Sequence, residues 1–192
     1  MIVVAGGESR RWTGRDKTAV ELGGVPVLEH AVRGLAAGAG VALAQVVVVG
    51  PAEHPARSRL TEAQWIREDP PGGGPVAGLA AGVGVLAPGV GLVVVGAGDA
   101  PFAGEAVPLL QDGLEDGIEG AIAVDPDGRD QPLLAVYRAP ALRAALPASP
   151  AGTSLRELVG KLRLARVPVG PRAALDLDTP EDLATAERLL AP

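Results

Sequence analysis

Short runs of branched apolar residues recur along the chain, at residues 2–5, 45–49, 91–95, 120–124 and 133–137. Most of these runs show no alternation of polar and apolar positions, which is typical of strands that are covered on both faces. Each run therefore predicts a buried strand.

Helix-like stretches separate these predicted strands, at residues 26–36, 75–86 and 106–114. Further along, residues 153–162 predict a helix and residues 164–169 predict a strand or an extended segment. A last helix is expected after Thr179 as its N-cap, with Pro180 in the first position. Strands that alternate with helices predict an α/β fold, with a mostly parallel, Rossmann-like sheet and helices on both faces. Because no repeat or linker interrupts the pattern, we expect residues 1–192 to form a single domain.

The loop after the first predicted strand concentrates positive charge. It runs from Ala5-Gly6-Gly7 to Asp16-Lys17, and four cations fall within eight of its residues, namely Arg10, Arg11, Arg15 and Lys17. Glycines let backbone N–H groups approach a ligand, arginines contact phosphate through two N–H groups at once, and lysine supplies a point charge. The loop therefore predicts phosphate binding. It is not a Walker A loop, because no glycine directly precedes Lys17.

A second glycine-rich loop covers residues 72–74. Gly72, Gly74 and Ala77 formally match the dinucleotide fingerprint, but two prolines precede them and the match does not follow the first strand. A glycine lid that closes over substrate is the better interpretation, with Asp69 accepting hydrogen bonds from a sugar or base. The alternative is a merely flexible connection.

Carboxylates follow the third predicted strand and precede the last helix. Asp99 comes directly after the strand, and Asp176 and Asp178 alternate so that they share one face. Magnesium favours one or two carboxylates together with phosphate oxygens and water, so Asp99 and one of the other two could hold it. The alternatives are that Asp99 caps the following helix and that Asp178 is a surface acid. The polar turn at residues 129–132 could reach a second substrate or be a turn alone.

Composition excludes several classes of function. The net charge is −6 and no basic stripe carries aromatic residues, which argues against a nucleic-acid partner. The absence of cysteine excludes disulfides and thiolate metal sites, and His30 and His54 lack the spacing of a zinc site. The apolar start breaks at Gly6, too early for a signal peptide or a membrane span. We therefore expect a soluble cytoplasmic protein without a membrane partner.

Taken together, the motifs resemble the MobA-like NTP transferase family, which includes the molybdenum cofactor guanylyltransferase. The matching segments are Ala5-Gly6-Gly7 through Ser9, Arg11 and Gly14 to Asp16-Lys17, residues 74–78, Asp99 before Pro101, residues 131–133 and 137–138, and residues 178–183. This resemblance spans nearly the whole chain, and the opening motif is its specific part. Trp12 stands where the family commonly carries methionine.

The resemblance implies a magnesium-dependent nucleotidylyltransferase that transfers GMP from GTP to molybdopterin and releases pyrophosphate. By position, it implies nucleotide-binding roles for Val4, Ala5, Gly6, Gly7, Lys17, Asp69 and Asp99. Lys17, Arg11 and Asp99 would carry the catalysis, and Asp99 and Asp178 would hold Mg²⁺. We expect a monomer or weak homo-oligomer, with transient contacts to other proteins of cofactor biosynthesis as its further partners.

The sequence departs from the guanylyl branch of this family at two places. Asp176 and Asp178 stand where guanylyltransferases often carry asparagine, and an Asp-x-Asp-Thr-Pro arrangement is common in cytidylyl-transferring relatives. Gly50 replaces a residue that is often polar, whereas the Asp16-Lys17 pair and the Gln131-Pro132-Leu133 segment favour the guanylyl branch. Transfer from CTP to molybdopterin and guanylyl transfer to another small phosphate stay open. So do a non-catalytic nucleotide-binding regulator and an NAD-type dehydrogenase.

Overall fold

The computed structural model describes residues 1–6, 12, 14 and 16–191. Its strands are β1 (Ile2–Val4), β2 (Glu21–Leu22), β3 (Val25–Pro26), β4 (Val47–Val49), β5 (Gln64–Ile66), β6 (Leu92–Ala97), β7 (Gly120–Val124), β8 (Asp130–Arg138) and β9 (Leu164–Pro168). Its helices are α1 (Val27–Ala39), α2 (Pro75–Gly84), α3 (Val107–Asp112), α4 (Ala139–Ala145), α5 (Leu155–Val159) and α6 (Pro180–Leu190). The five apolar runs and the extended segment at 164–169 all form strands, so the predicted α/β class is confirmed.

Seven strands form one sheet in the order β5-β4-β1-β6-β8-β7-β9, and β2 and β3 form a separate hairpin. Strands β5, β4, β1 and β6 are parallel neighbours, and β7 is parallel to β9. Only β8 runs against its neighbours β6 and β7. The sheet is therefore mostly parallel, as predicted, with one reversed strand inside it.

The valines of the central strands are buried because helices cover both faces of the sheet. On one face, α1 and α3 pack through side chains such as Leu28, Leu35 and Leu110. On the other face, α2, α4 and α5 pack through Leu79, Leu142 and Leu158. Helix α6 and the β2–β3 hairpin form a third cluster with buried Trp12, Leu22, Phe102 and Leu177. This third cluster lies next to the residues that precede α6.

Local sequence signals account for where the helices begin and end. Helix α1 ends at Gly40, whose φ of 66° lies in the left-handed region that favours glycine. Helix α6 begins at Thr179, which accepts a hydrogen bond from the backbone of Asp182 while the Asp182 carboxylate accepts one from the Thr179 backbone. The predicted N-cap is thus confirmed. No helix in the described part of the chain is long and apolar enough to cross a membrane.

The structure also contains elements that the hydrophobic pattern did not predict. Strand β5 is a three-residue edge strand that begins with an exposed glutamine, so it lacks a continuous apolar run. The predicted helix at 106–114 begins at Val107, after a 3₁₀ turn over Ala103–Ala106. The predicted helix at 153–162 is limited to Leu155–Val159, with Ser154 as its N-cap.

Candidate active site

The register of the parallel strands brings the ends of β1, β4 and β6 to one level. Val4, the last residue of β1, pairs with Val49 on one side and with Ala97 on the other. The residues after each strand therefore meet at one edge of the sheet. A cleft of about 680 Å³ opens there, which is within the usual range for small-molecule sites.

Most of the predicted nucleotide-binding residues in the described part of the chain lie in this cleft. Val4, Ala5 and Gly6 line it after β1, Lys17 lines it from the end of the basic loop, and Asp99 lines it after β6. Gly7 and Arg11, which were also predicted to act here, lie outside the described residues. The loops that follow the first and third predicted strands thus converge in one place.

Lys17 joins two of the three predicted carboxylates. Its ammonium nitrogen lies 2.5 Å from Oδ2 of Asp99 and 2.5 Å from Oδ1 of Asp178. The side chains of Lys17 and Asp99 are largely buried, whereas that of Asp178 is 47% exposed. Burial by itself would lower the pKa of Lys17, but the two carboxylates outweigh it and the net effect raises the pKa. The ammonium is therefore firmly charged.

Asp176 lies beside this cluster and also lines the cleft. Desolvation raises the pKa of the Asp176 carboxyl, although part of the side chain is exposed. The negative charges of Asp178 and Asp99 raise it further, and Lys17 opposes the shift. Three carboxylates thus lie around one ammonium, so carboxyl groups outnumber positive groups in this part of the cleft.

Leu177 explains why both flanking aspartates reach the cluster. Its side chain is fully buried, and its backbone N–H donates to the carbonyl oxygen of Asp99 at 3.0 Å. The carbonyl oxygen of Leu177 accepts a hydrogen bond from the indole Nε1 of Trp12 at 3.1 Å. With Leu177 fixed in this way, its two neighbours reach the cluster, where Asp178 contacts Lys17 and Asp176 lines the cleft.

Gly98 permits the close approach that places Asp99. A Cβ at this position would lie 2.8 Å from Cδ1 of Leu28 and 2.9 Å from Cβ of Ala5. Either contact is too short for two carbon atoms, so with any larger residue here Leu28 and the end of β1 would have to shift.

The residues of the second glycine-rich loop do not themselves line the cleft. The N–H of Gly72 donates to Oε1 of Glu68 at 3.0 Å, and the carbonyl oxygen of Gly73 accepts from the N–H of Gly152 at 3.0 Å. Gly74 has a φ of 90° and precedes α2. Asp69 is exposed and does not line the cleft. Closure of this loop over a nucleotide, with Asp69 at the sugar or base, stays a prediction.

The opposite wall of the cleft is mainly apolar. Because β8 runs against the parallel strands, its first residues come to the edge where those strands end. Gln131, Pro132, Leu133 and Leu134 line the cleft from β8, and Leu155 lines it from α5. The Gln131 amide nitrogen donates to the Asp125 carboxylate at 3.0 Å. The prediction of a polar turn at residues 129–132 was wrong, because Asp130, Gln131 and Pro132 already pair as the start of β8, but Gln131 and Pro132 do border the cleft.

Two contacts close to the cleft escaped the sequence interpretation. Glu68 holds the second glycine loop by its Oε1 contact with Gly72. His54, interpreted as an ordinary histidine, contacts the hydroxyl of Thr18, directly after Lys17. A lone histidine without a spaced partner gives no signal of such a role, because the contact joins loops 36 residues apart.

The residues of the cleft fit a magnesium ion in part. The described residues contain no group of three or more carboxylate or imidazole side chains arranged to hold a metal. However, magnesium in phosphate sites needs only one or two carboxylates. The contacting oxygens of Asp99 and Asp178 are at most twice 2.5 Å apart, because both lie that far from the same nitrogen. Two carboxylate oxygens that converge on one cation are the kind of donor that a hard divalent cation prefers.

Comparison with known proteins agrees with this geometry. The family model for the MobA-like NTP transferase domain matches residues 1–167. The chain belongs to the MobA-like NTP transferase family. The resemblance inferred from the opening motif is therefore confirmed, and membership places this MobA-like protein among the nucleotidyltransferases. No curated protein matches the chain.

Solved structures share the fold over nearly the whole chain. Molybdopterin-guanine dinucleotide biosynthesis protein A from Archaeoglobus fulgidus is 25% identical, with a TM-score of 0.71 over 98% of this chain and 96% of that one. The 4-diphosphocytidyl-2C-methyl-D-erythritol synthase from Anaerococcus prevotii is 17% identical, with a TM-score of 0.71 over 98% and 96%. A nucleotidyl transferase from a Methanothermobacter species is 18% identical, with a TM-score of 0.74 over 98% and 95%. The last two likenesses show the fold alone.

Proposed function

We propose that this MobA-like protein is a guanylyltransferase that transfers GMP from GTP to molybdopterin with release of pyrophosphate. The observation that carries the proposal is the Lys17 ammonium held between Asp99, which follows β6, and Asp178, which precedes α6. The ammonium, at the end of a glycine-containing loop, suits a triphosphate, and the carboxylates beside it suit the cation that accompanies the triphosphate.

The reaction requires the protein to position the two substrates and to neutralise their negative charge, and it needs no covalent enzyme intermediate. An oxygen of the acceptor phosphate attacks the α-phosphorus of GTP, the bond from that phosphorus to the β-phosphate oxygen breaks, and pyrophosphate leaves. We assign Lys17 and Arg11 to the triphosphate. The backbone of Val4, Ala5, Gly6 and Gly7 would lie against the nucleotide, because the absence of bulky side chains there lets a ligand approach.

We assign Asp99 and Asp178 to a bound Mg²⁺. Mg²⁺ in this position would offset the negative charge of the triphosphate and of the leaving pyrophosphate. The Lys17 ammonium contacts these same carboxylates, which places it beside the position assigned to the metal and its phosphates. Lys17 and the metal would together offset the negative charge of the triphosphate.

Two observations favour GTP over CTP. Asp16 and Lys17 form the pair that favours the guanylyl branch, and the Archaeoglobus fulgidus protein named for guanine dinucleotide biosynthesis is 25% identical. Against GTP stands the Asp176-Leu177-Asp178-Thr179-Pro180 segment, which resembles the arrangement of cytidylyl-transferring relatives. We place Asp69 at the base or ribose, since it follows the edge strand β5 on the nucleotide side of the sheet.

We place the acceptor on the apolar wall formed by Gln131, Leu133, Leu134 and Leu155. The protein would act in the cytoplasm as a monomer or weak homo-oligomer, with transient contacts to other cofactor-biosynthesis proteins and none to nucleic acid or membrane. The net charge of −6 supports the exclusion of nucleic acid.

Pyrophosphate release tests this function. Purified protein with Mg²⁺ and molybdopterin should release pyrophosphate from GTP faster than from ATP, CTP or UTP. Omitting molybdopterin or Mg²⁺ should abolish the signal. Release with CTP but not GTP would assign the cytidylyl activity, and nucleotide binding without release would identify a regulator.

A further inference from the structure

A chain of hydrogen bonds links a buried histidine to the residue before Lys17. Nδ1 of His54 accepts a hydrogen bond from the backbone N–H of Ala56 at 3.1 Å. A neutral imidazole has one donor and one acceptor nitrogen, so this bond places the proton of His54 on Nε2. Nε2 lies 3.0 Å from Oγ1 of Thr18, to which it therefore donates.

Thr18 accepts the hydrogen bond from His54 and donates in turn to Asp16. The Thr18 hydroxyl donates to Oδ1 of Asp16 at 2.7 Å, and the Thr18 backbone N–H donates to the same oxygen at 2.9 Å. Every donor and acceptor in the series from Ala56 to Asp16 is thus assigned by its neighbour. The order is backbone N–H, imidazole, hydroxyl and carboxylate, and each link has one orientation only.

The environment keeps the imidazole neutral and in place. The His54 side chain is fully buried, and its ring stacks on Trp65 with the ring centres 6.0 Å apart. The Arg57 guanidinium lies 5.6 Å from the ring centre of Trp65, and Oδ2 of Asp16 lies 3.8 Å from Nε2 of His54. Burial lowers the pKa of His54, and the Asp16 charge opposes this only in part.

The far end of this chain sets the turn that carries Lys17. Asp16 is the N-cap of the 3₁₀ turn Lys17–Ala19. A turn of three residues has few backbone hydrogen bonds of its own, so its direction depends strongly on its cap. Lys17 is the first residue of the turn, and its ammonium contacts Asp99 and Asp178.

We propose that His54 is a positioning residue, which acts through Thr18 and Asp16 to aim the Lys17 ammonium at the Asp99–Asp178 pair. The consequence for nucleotide binding rests on the proposed function, because it requires Lys17 to contact the triphosphate. The effect on Lys17 itself does not, and it can be measured in the free protein.

Four substitutions separate positioning from simple packing. Asn at position 54 places an oxygen near Nδ1, so His54→Asn keeps the acceptor for Ala56 but loses the contact with Thr18. Gln places an amide nitrogen near Nε2, so His54→Gln keeps that contact. Thr18→Val removes the hydroxyl at nearly constant shape, and Thr18→Ser restores it.

The composition allows a direct spectroscopic test. The chain has two lysines, Lys17 and Lys161, and two histidines, His30 and His54, so each labelled spectrum holds one reporter and one internal control. We would record the NMR signals of labelled lysine side chains and histidine rings in the free protein. Calorimetry with GTP and with guanosine would follow, on the wild type and all four variants.

The proposal predicts a His54 ring with its proton on Nε2. It predicts that the Lys17 signal moves in His54→Asn and Thr18→Val, while the Lys161 signal stays and His54→Gln and Thr18→Ser restore the wild-type position. GTP affinity should fall by about three- to tenfold in the first two variants, with guanosine affinity unchanged.

A Lys17 signal that is unchanged in a folded Thr18→Val protein would overturn the proposal and leave His54 as a cap of its own turn. If His54→Asn does not fold, Thr18→Val and the position of the His54 ring proton in the wild type still test the proposal, since a proton on Nδ1 would also overturn it. If the wild type binds no nucleotide, the proposed function fails, whereas the Lys17 signal still decides the role of His54.

Discussion

The backbone N–H of Leu177 donates a hydrogen bond to the carbonyl oxygen of Asp99 at 3.0 Å. This contact joins the loop after β6 to the segment before α6, which are 78 positions apart in sequence. Since Leu177 lies between Asp176 and Asp178, the same contact brings Asp178 to the Lys17 ammonium beside Asp99 and places Asp176 next to this cluster. The anionic half of the site is thus a tertiary arrangement fixed by the backbone.

Replacing Trp12 tests how this arrangement is held. Trp12→Phe keeps most of the buried ring but removes the Nε1 donor to the Leu177 carbonyl oxygen. The free energy of unfolding should fall by about 0.5–1.5 kcal/mol, the net contribution of a typical hydrogen bond. Denaturant unfolding measures it. Trp65→Phe is the matched control, because its Nε1 contact with Leu60 is longer at 3.4 Å. An unchanged free energy of unfolding in Trp12→Phe would show that the indole hydrogen bond does not hold Leu177 in place.

Replacing Lys17 tests the phosphate contact. Lys17→Ala should weaken GTP binding by about 1.5–3 kcal/mol, the range for hydrogen bonds to charged groups, and should leave guanosine binding nearly unchanged. Calorimetry with both ligands measures the difference. Lys161→Ala is the control, because the Lys161 ammonium contacts only the Ala145 carbonyl oxygen among described residues. Equal GTP affinity in wild type and Lys17→Ala would show that the basic loop does not bind the triphosphate.

Replacing Asp99 tests the metal assignment. Asp99→Asn keeps the shape and removes the charge, so turnover should fall by about two orders of magnitude or more. The fold should survive, because Lys17 keeps its contact with Asp178. Magnesium titration of pyrophosphate release and thermal melting on both proteins give the two readouts. Wild-type turnover in Asp99→Asn would move the metal to another residue, and loss of folding would support a capping role.

Acid should destabilise the fold partly through His54. Burial lowers its pKa in the folded state below the ordinary value of 6.5, so the unfolded chain takes up a proton first as the pH falls. This contribution to stability is complete above about pH 6.5 and is lost progressively below it, down through the folded-state pKa. Urea unfolding from pH 7.5 to 5 should therefore show a shallower decline for His54→Gln than for wild type. Parallel declines would mean that His54 is protonated equally in both states.

Much of the fold follows from local pattern, because buried parallel strands require continuous apolar runs. Residues 120–124 form a strand at the predicted bounds, and Thr179 is the N-cap that its neighbours predict. Strand β5 was missed because an edge strand needs only one covered side and a few residues. The reversed direction of β8 is set by its pairing with β6 and β7, which no local pattern encodes.

The sequence predicted which residues lie at the site, but not the contacts that connect them. Strand ends in a parallel sheet meet at one edge, so the amino-acid sequence alone is enough to place Ala5 and Asp99 together. The alternation of Asp176 and Asp178 also indicated their common side. The Lys17 ammonium between the two acids depends on the Leu177 and Trp12 contacts, and the link from His54 to Asp16 joins distant loops. Such contacts are decided by packing.

The central claim is guanylyl transfer, and the mass of the product tests it most directly. A polar pocket matched to one base leaves buried groups unpaired with the wrong base, so discrimination should be strong. GTP and CTP at equal concentration, with Mg²⁺ and molybdopterin, should yield molybdopterin guanine dinucleotide as the main product by mass spectrometry. A predominance of the cytosine dinucleotide, or no dinucleotide with either base, would contradict the account.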